Sequence, residues 1–395
     1  MTTRNAAWRA IAGIAALSVA VLAGCGGGPI LANAPLVAHN PPSATPAASS
    51  LPDPQPIVLP RDDGPHDRLT EWWYVTGHLA TAGGRHFGFE AVVFRARRGD
   101  APVTWASHLA LTDEGGQRFL VGQRTAIGPA ADASPRDPAG RPTGFALGIP
   151  TTPVQPGVYP PDANTWQLAG SGDHASIDAA LTATEANAAG GAFGLRLALV
   201  AAKPAVLHDG DGWIDFGPAG GSYYYSRTRM AVTGSLAPDG VTLPVTGEAW
   251  FDHQWGDFIS VGGGGWDWFA VNLDDGTDLT LSLVRNADGS LPLVYGTSVD
   301  AAGRATHLDR DAFTVTPTGS WTSPTTGATY PAGWAIAVPG QALSVTLTPT
   351  LPDQELDTRP TTGVVYWEGS QVVRVTRGGS ALGGQAYVEL TGYSK

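Results

Sequence analysis

From about residue 70 onward, apolar and polar positions alternate with a period of two in one short run after another. His86, Gly88, Glu90, Val92 and Phe94 interleave with Phe87, Phe89, Ala91 and Val93, and Leu195, Leu197 and Leu199 with Arg196 and Ala198. Successive side chains of a strand point to opposite faces, so this rhythm predicts β-structure. Aromatic and β-branched runs at 71–79, 105–112 and 223–230 fit the same reading. Gly83-Gly84, Asp239-Gly240 and Asp274-Asp275-Gly276 supply turns between them. No amphipathic helix of four turns is visible after the N-terminal segment, and residues 124–165 read as a long loop. The prediction is an all-β chain of sandwich or barrel type.

The rhythm breaks at Gly262-Gly263-Gly264-Gly265, where a strand cannot continue, and restarts at Trp266. The expected domains are therefore 58–261 and 262–395. Before them, residues 26–57 are rich in Pro, Ala and Gly and read as a flexible tether. Residues 1–25 carry Arg4 and Arg9, then a short apolar run, then Leu22-Ala23-Gly24-Cys25. The run is too short to span a membrane and reads as a signal segment. Its end looks like a lipoprotein signal, with Cys25 lipidated and tethering the protein to a membrane. Gly26, which is not Asp, follows it, and in lipoproteins generally this points to the outer membrane. Cys25 is the single cysteine of the chain, so no disulfide staples the expected domains.

Composition narrows the function classes. Charged residues are 15% of the 395, and the net charge is −12 with no basic cluster, which argues against a nucleic-acid partner. The 13 Trp residues set the chain apart from a disordered acidic polymer.

The densest chemistry lies in Gly247-Glu248-Ala249-Trp250-Phe251-Asp252-His253-Gln254-Trp255-Gly256. On a strand, Trp250, Asp252 and Gln254 share one face, while Phe251, His253 and Trp255 share the other. Acid–base groups against aromatic walls suit chemistry on an apolar, alkene-rich substrate. A core strand with merely hydrogen-bonded Asp252 and His253 is the alternative. The same alternation separates Asp252 from His253 unless the strand bulges or ends there. In that case His253 only supports the fold, and Glu71 or Glu90 partners Asp252. His66, His78, His86 and His108 show no metal-ligand spacing and read as structural. No Gly-x-Ser-x-Gly elbow offers a nucleophile. The paired aromatics Trp72-Trp73 and Trp266/Trp268 could stack on sugars or plug a barrel.

Glu71-Trp72-Trp73-Tyr74, Thr76-Gly77-His78-Leu79, His108-Leu109-Ala110-Leu111-Thr112-Asp113, Tyr223-Tyr224-Tyr225-Ser226, Trp250-Phe251-Asp252-His253-Gln254-Trp255-Gly256, Tyr366-Trp367-Glu368-Gly369 and Tyr387-Val388-Glu389-Leu390 occur in this order. Together they resemble the carotenoid 1,2-hydratase / hydroxyneurosporene synthase superfamily, and most of all its secreted bacterial, attachment-locus-type branch. The resemblance runs from about 60 to 393. It implies two tandem lipocalin-like β-barrels meeting near Asp252. It also implies chemistry without a metal or organic cofactor, such as acid–base hydration or isomerisation of a C=C bond in an isoprenoid or lipid-like molecule. A non-catalytic carrier of a hydrophobic ligand is the alternative. In the hydratases a His-x-Trp pair is functional, and it matches His253 and Trp255. Their later Tyr and Asp have no clear match; Trp266, Asp267 and Asp274 are nearest, and no Tyr lies between 255 and 291. The expected catalytic set is Asp252, His253, Trp255 and Glu71. The expected ligand-binding set is Trp250, Trp72, Trp73, Tyr74, Tyr224, Trp266 and Asp267.

Overall fold

The structure is a computed structural model that describes residues 52–151, 164–258 and 263–394. In chain order the first group of strands is β1 (Thr70–Ala80), β2 (His86–Ala96), β3 (Thr104–Asp113), β4 (Arg118–Ile127), β5 (Phe145–Ile149), β6 (Trp166–Ser171), β7 (His174–Ala180), β8 (Gly194–Ala201), β9 (Val206–Leu207), β10 (Trp213–Asp215), β11 (Gly221–Leu236) and β12 (Leu243–Gly256). The second group is β13 (Gly263–Leu273), β14 (Asp278–Asn286), β15 (Leu293–Val299), β16 (Ala305–Leu308), β17 (Thr314–Pro317), β18 (Ser320–Thr322), β19 (Thr329–Pro331), β20 (Trp334–Val338), β21 (Leu343–Pro349), β22 (Glu355–Asp357), β23 (Val365–Arg377), β24 (Ser380–Leu382) and β25 (Gly384–Thr391). One short helix, Ala183–Ala189, begins with a capping box between Thr182 and Glu185.

Each group curls into a near-closed, lipocalin-like barrel. The first sheet runs β4-β3-β2-β1-β12-β11-β8-β7-β6-β5, and the second runs β16-β15-β14-β13-β25-β23-β21-β20-β17. Both follow one plan: a four-strand meander whose first strand pairs with the last long strand of its group. The halves are thus related by topology. The two Asp-Gly turns are not equivalent in it, because one joins β11 to β12 and the other joins β13 to β14.

Two expectations need correction, and one lies outside the described residues. Residues 124–165 are not one loop, because β4 continues to Ile127 and β5 adds Phe145, Leu147 and Ile149 to the core. The alternation of five residues was too short to stand out beside the surrounding Pro and Gly. The signal segment 1–25 with Cys25 lies outside the described residues, as do most of the expected tether and residues 259–262. Yet residues 52–57 are not a free tether. Gln55 N–H donates to Tyr223 Oη at 2.7 Å, Asp53 pairs with Arg68 at 2.7 Å, and Ile57 packs on the first core.

Alternation decides where each side chain goes. In β1 the odd residues Trp73, Val75 and Leu79 fill the first barrel, with Phe87, Phe89, Phe251 and Trp255 from its neighbours. Phe269, Val271, Val388 and Leu390 fill the second. The even residues of β1 and β2 face a third apolar layer between the barrels, where Tyr74, Val92, Phe94 and Trp250 meet Trp268, Ala270, Tyr366 and Tyr387. Gly88 permits the close approach, since a Cβ there would sit 2.8 Å from Ser370 Cβ and from Tyr387 Oη.

Buried charge ties the barrels at one end of this layer. Asp278 of the second barrel is fully buried and takes Lys203 Nζ at 2.6 Å and Arg229 Nη2 at 2.8 Å, both from the first. Thr228 Oγ1 and Asn272 Nδ2 complete its shell at 2.8 and 2.7 Å. Removing one partner of such a pair leaves an uncompensated buried charge. Asp278→Ala is expected to destabilise the protein by about 3–5 kcal/mol in denaturant unfolding. A change within about 0.5 kcal/mol, the range of ordinary surface substitutions, would show that this cluster does not hold the barrels.

Candidate functional site

Strand β12 carries the predicted site residues, and it remains regular through them. Asp252 sits opposite Tyr74 of β1 and Ser226 of β11, while His253 sits opposite Trp73 and Tyr225. No bulge intervenes at Asp252. The expected cluster is therefore two clusters on opposite faces of one strand.

The inward cluster lies in the first barrel. Glu71 Oε1 accepts from His66 Nδ1 at 2.7 Å and from His253 Nε2 at 3.0 Å, and Glu71 Oε2 accepts the His66 backbone N–H at 3.0 Å. Asp62 lies 3.6 Å from His66 Nε2. Trp255 stacks on His66 at 4.0 Å, and Trp73 on His253 at 4.6 Å. Burial by itself would raise Glu71, but the His66 charge and both imidazole hydrogen bonds outweigh it and hold the carboxyl at about 2. Burial likewise works against a charged His66, yet Glu71 and Asp62 raise its pKa. Burial dominates at His253 and lowers it. These shifts favour the charged forms of Glu71 and His66 and the neutral form of His253, whose Nδ1 is unpartnered. One ligand atom from each of His66, Glu71 and His253 lies within 4.8 Å of the others, the one such group among the described residues. No sequence spacing announces it, because the three come from a loop and two strands. A metal ion there would have to replace the two direct hydrogen bonds with bonds of about 2.0–2.2 Å.

The outward cluster lines the cleft between the barrels. Asp252, 4% exposed, accepts Tyr224 Oη–H at 2.6 Å on Oδ2, and on Oδ1 it accepts Trp250 Nε1–H at 2.6 Å and the Ser226 hydroxyl. Tyr224 Oη in turn accepts from Trp268 Nε1 at 3.0 Å, across the seam. Burial pushes the Asp252 carboxyl up to about 7, and the three hydrogen bonds offset only part of this. Three more carboxyls share the layer. Glu90 is raised by burial to about 8 despite the 2.8 Å hydrogen bond from Tyr366 Oη. Glu389 is raised by burial to about 7, with Trp266 Nε1 donating to it at 3.1 Å. Glu368, also raised by burial, accepts from Tyr74 Oη at 2.7 Å. The cleft encloses a cavity of about 80 Å³. It is a narrow slot, suited to a flat or chain-like molecule, and no Lys, Arg or His among the described residues lines it. Trp72 and Trp266 face each other at 6.4 Å, nearly parallel, one from each barrel.

The ligand-binding set divides accordingly. Trp72, Tyr74, Tyr224 and Trp266 line the cleft, and Trp250 backs it through Asp252. Trp73 does not belong there, since alternation turns it into the first core. Asp267 also points away, paired with Arg285 and accepting from Tyr393 Oη at 3.0 Å. His253, Trp255 and Glu71 form the inward cluster and do not reach Asp252. Glu90 faces the cleft, as its alternation with Val92 and Phe94 suggested. Trp268, paired with Trp266 in the sequence, also lines the cleft, and Glu368, Glu389 and His208 join the site beyond the expected residues. A period-two reading of Tyr366-Trp367-Glu368 and Tyr387-Val388-Glu389 would have placed a phenol and a carboxyl together on one face of each strand.

Fold and site together define a two-barrel, lipocalin-like protein with an acid-lined aromatic cleft at the seam. A family model described as AttH-like matches residues 50–393, and the chain belongs to that family. Among solved structures it is similar to an AttH from Nitrosomonas europaea, with 31% identity and a TM-score of 0.69 over 86% of this chain and 98% of that one. Kievitone hydratase from Nectria haematococca shares the fold, at 15% identity and a TM-score of 0.59 over 86% and 94%. So does CghA, solved with Sch210972, at 12% and 0.54 over 82% and 89%. No curated protein matches the sequence.

The two clusters oppose each other in pH. Folded Asp252 and Glu389 titrate near 7 and Glu90 near 8, against ordinary values of 3.8 and 4.5. Their raised values favour the folded state below about pH 4, and that contribution is lost as pH rises through 7–8. Glu71, at about 2 against 4.5, contributes above pH 4.5 and loses its contribution as pH falls toward 2. Stability is expected to be greatest near pH 4–5 and to fall toward pH 8.5. Asp252→Asn should flatten that fall, because each proton taken up on folding is worth about 1.4 kcal/mol per pH unit. Urea unfolding of both proteins at pH 5, 7 and 8.5 measures this, and parallel curves would refute the raised Asp252.

Proposed function

We propose that this protein performs acid–base chemistry on a C=C bond of an apolar, unsaturated small molecule, isoprenoid or lipid-like, held in the cleft. The observation that carries the reading is Asp252, a carboxyl that burial keeps protonated up to about pH 7 among Trp and Tyr rings. Protonating an unactivated alkene needs a neutral acid in a dry site. Proton transfer from Asp252 to carbon would leave a tertiary cation. The faces of Trp72, Trp266 and Trp268 would stabilise it, by on the order of 1–2 kcal/mol each when dry. Glu389, titrating in the same range, would take the proton from an attacking water or from the neighbouring carbon. The first outcome is hydration and the second isomerisation. The hydratase among the structures sharing this fold makes such chemistry a natural candidate, and the resemblance to carotenoid hydratases points the same way.

The inward His66–Glu71–His253 cluster then shapes β1 and β12 without touching the ligand, and the His-x-Trp pair acts by holding the strand that presents Asp252. A carrier of hydrophobic molecules is the competing use of the same cleft, because its walls need no catalyst to bind a hydrocarbon. Lipidation at Cys25 would place either activity at the cell envelope, at the outer membrane facing the periplasm.

Native mass spectrometry of the purified protein identifies what the cleft retains. With that ligand, or an isoprenoid alkene as probe, Asp252→Asn is expected to lower turnover about 10²–10⁴-fold while affinity changes little. Unchanged turnover would remove Asp252 from the chemistry, and bound mixed fatty acids with no turnover would favour the carrier. For the anchor, metabolic fatty-acid labelling is expected in the wild type and absent in Cys25→Ser. Equal labelling of both would refute lipidation there.

A further inference from the structure

Behind Asp252 runs a chain of hydrogen bonds that the reaction as written does not use. Ser226 Oγ contacts Asp252 Oδ1 on one side and lies 2.6 Å from His208 Nε2 on the other. The opposite ring nitrogen, Nδ1, lies 2.9 Å from Thr297 Oγ1 of the second barrel. Ser226, His208 and Thr297 are all buried, and neither Ser226 nor His208 lines the void. Tyr224, which donates to the other oxygen of Asp252, packs on the His208 ring at 4.0 Å. The imidazole is thus pinned by contacts at both nitrogens and on one face.

We propose that Ser226 and His208 form a proton relay behind Asp252, with His208 the positioning residue whose ring tautomer follows the protonation state of that carboxyl. The proposal takes Asp252 as the acid of the preceding section and adds the groups that orient and refill it.

Donor and acceptor rules allow two self-consistent states. With Asp252 neutral, its O–H donates to Ser226 Oγ, the Ser226 hydroxyl donates to His208 Nε2, and His208 Nδ1–H donates to Thr297. With Asp252 ionised, every bond reverses. Ser226 donates to the carboxylate, His208 Nε2–H donates to Ser226, and the Thr297 hydroxyl donates to Nδ1. The second state arises when the carboxyl proton leaves through the chain, from Asp252 to Ser226, from Ser226 to His208 Nε2, from His208 Nδ1 to Thr297 and from Thr297 to water. Refilling moves the Ser226 proton to Asp252, the Nε2 proton to Ser226 and the Thr297 proton to Nδ1, and Thr297 regains one proton from water. One proton enters for each proton that left through the chain, and no electrons change hands.

The surroundings suit a neutral relay. Burial pushes His208 down to about 3, with the His307 charge adding to this, so the ring stays neutral and carries one proton throughout the working range. The ionisable groups facing the chain are few. Around Asp252 they are Tyr224 on β11, Tyr295 on β15, Glu368 on β23 and Glu389 on β25. Near His208 they are Tyr224 and His307, the latter paired with Asp209 at 3.3 Å. A tautomer change at His208 therefore has Asp252 as its one directly chained source.

The test needs no substrate. The full chain, labelled with ¹⁵N-histidine and ¹³C-aspartate, is titrated from pH 5 to 9, with His208 assigned by its loss in His208→Gln. The expected result is the Nδ1–H tautomer at low pH and the Nε2–H tautomer at high pH, with the midpoint of the Asp252 carboxyl. Asp252→Asn should hold one tautomer across the range. In Ser226→Ala, Asp252 should titrate at a higher pH, because a hydrogen bond favouring its charged form is gone, and His208 should no longer follow. The dispersion of the amide spectrum reports whether each variant is folded. A pH-independent His208 while Asp252 titrates, or a tautomer that still follows in folded Ser226→Ala, would overturn the relay. Either result leaves the turnover test of Asp252 intact, so failure of the relay and failure of the acid are distinguishable.

Discussion

Everything about this site depends on the two-residue period of β12 at the place where it is wedged between β1 and β11. One face of the strand looks into a near-closed barrel, and the other looks onto a second barrel. Asp252 and His253 are neighbours in the chain and yet occupy different environments. His253 is fixed by Glu71 among stacked rings, where His66 favours the charged form of the Glu71 carboxyl and Glu71 that of His66. Asp252 meets hydroxyls and indole N–H groups with no cation beside it, and so it keeps its proton. The same side-chain type is pushed down on one face and up on the other. Solvation alone does not explain this, since both are buried; the difference is whether a positive partner was buried with it.

Burying four carboxyls at one seam is costly unless they remain neutral or are well donated to. Tyr74, Tyr224, Tyr366, Trp250 and Trp266 do the donating. These donors come from both barrels, as do the acids. Asp252 and Glu90 belong to the first barrel, and Glu368 and Glu389 belong to the second. The cleft is consequently a property of the pair. The buried Asp278 cluster and the close approach at Gly88 hold the two faces in register, and the rings of Trp72 and Trp266 flank the slot from either side.

The division of labour between the clusters also gives a physical sense to the His-x-Trp pair. His253 and Trp255 lock β12 to β1 through Glu71 and to the loop before it through His66, which stacks on Trp255. They fix the strand from inside, while its outer face lines the cleft. The likeness to sugar-binding stacked tryptophans dissolves for a simple reason. Trp72 and Trp73 point in opposite directions, and Trp72 meets Trp266 of the other barrel.

Period-two alternation is a local property of the chain. It was enough to establish an all-β protein, to mark most strands, and to sort Trp250, Asp252 and Gln254 from Phe251, His253 and Trp255. The order of aromatic motifs carried the likeness to a two-barrel family. Alternation says which residues share a face but not what that face meets. Only the tertiary structure decided that the face of Asp252 meets a second barrel, that Glu368 and Glu389 arrive there from more than a hundred residues away, and that Asp267 turns aside to Arg285. His66, Glu71 and His253 converge across 187 residues for the same reason. Their meeting depends on the last strand of the first group pairing with the first, and such pairing is set by the packing of the whole barrel.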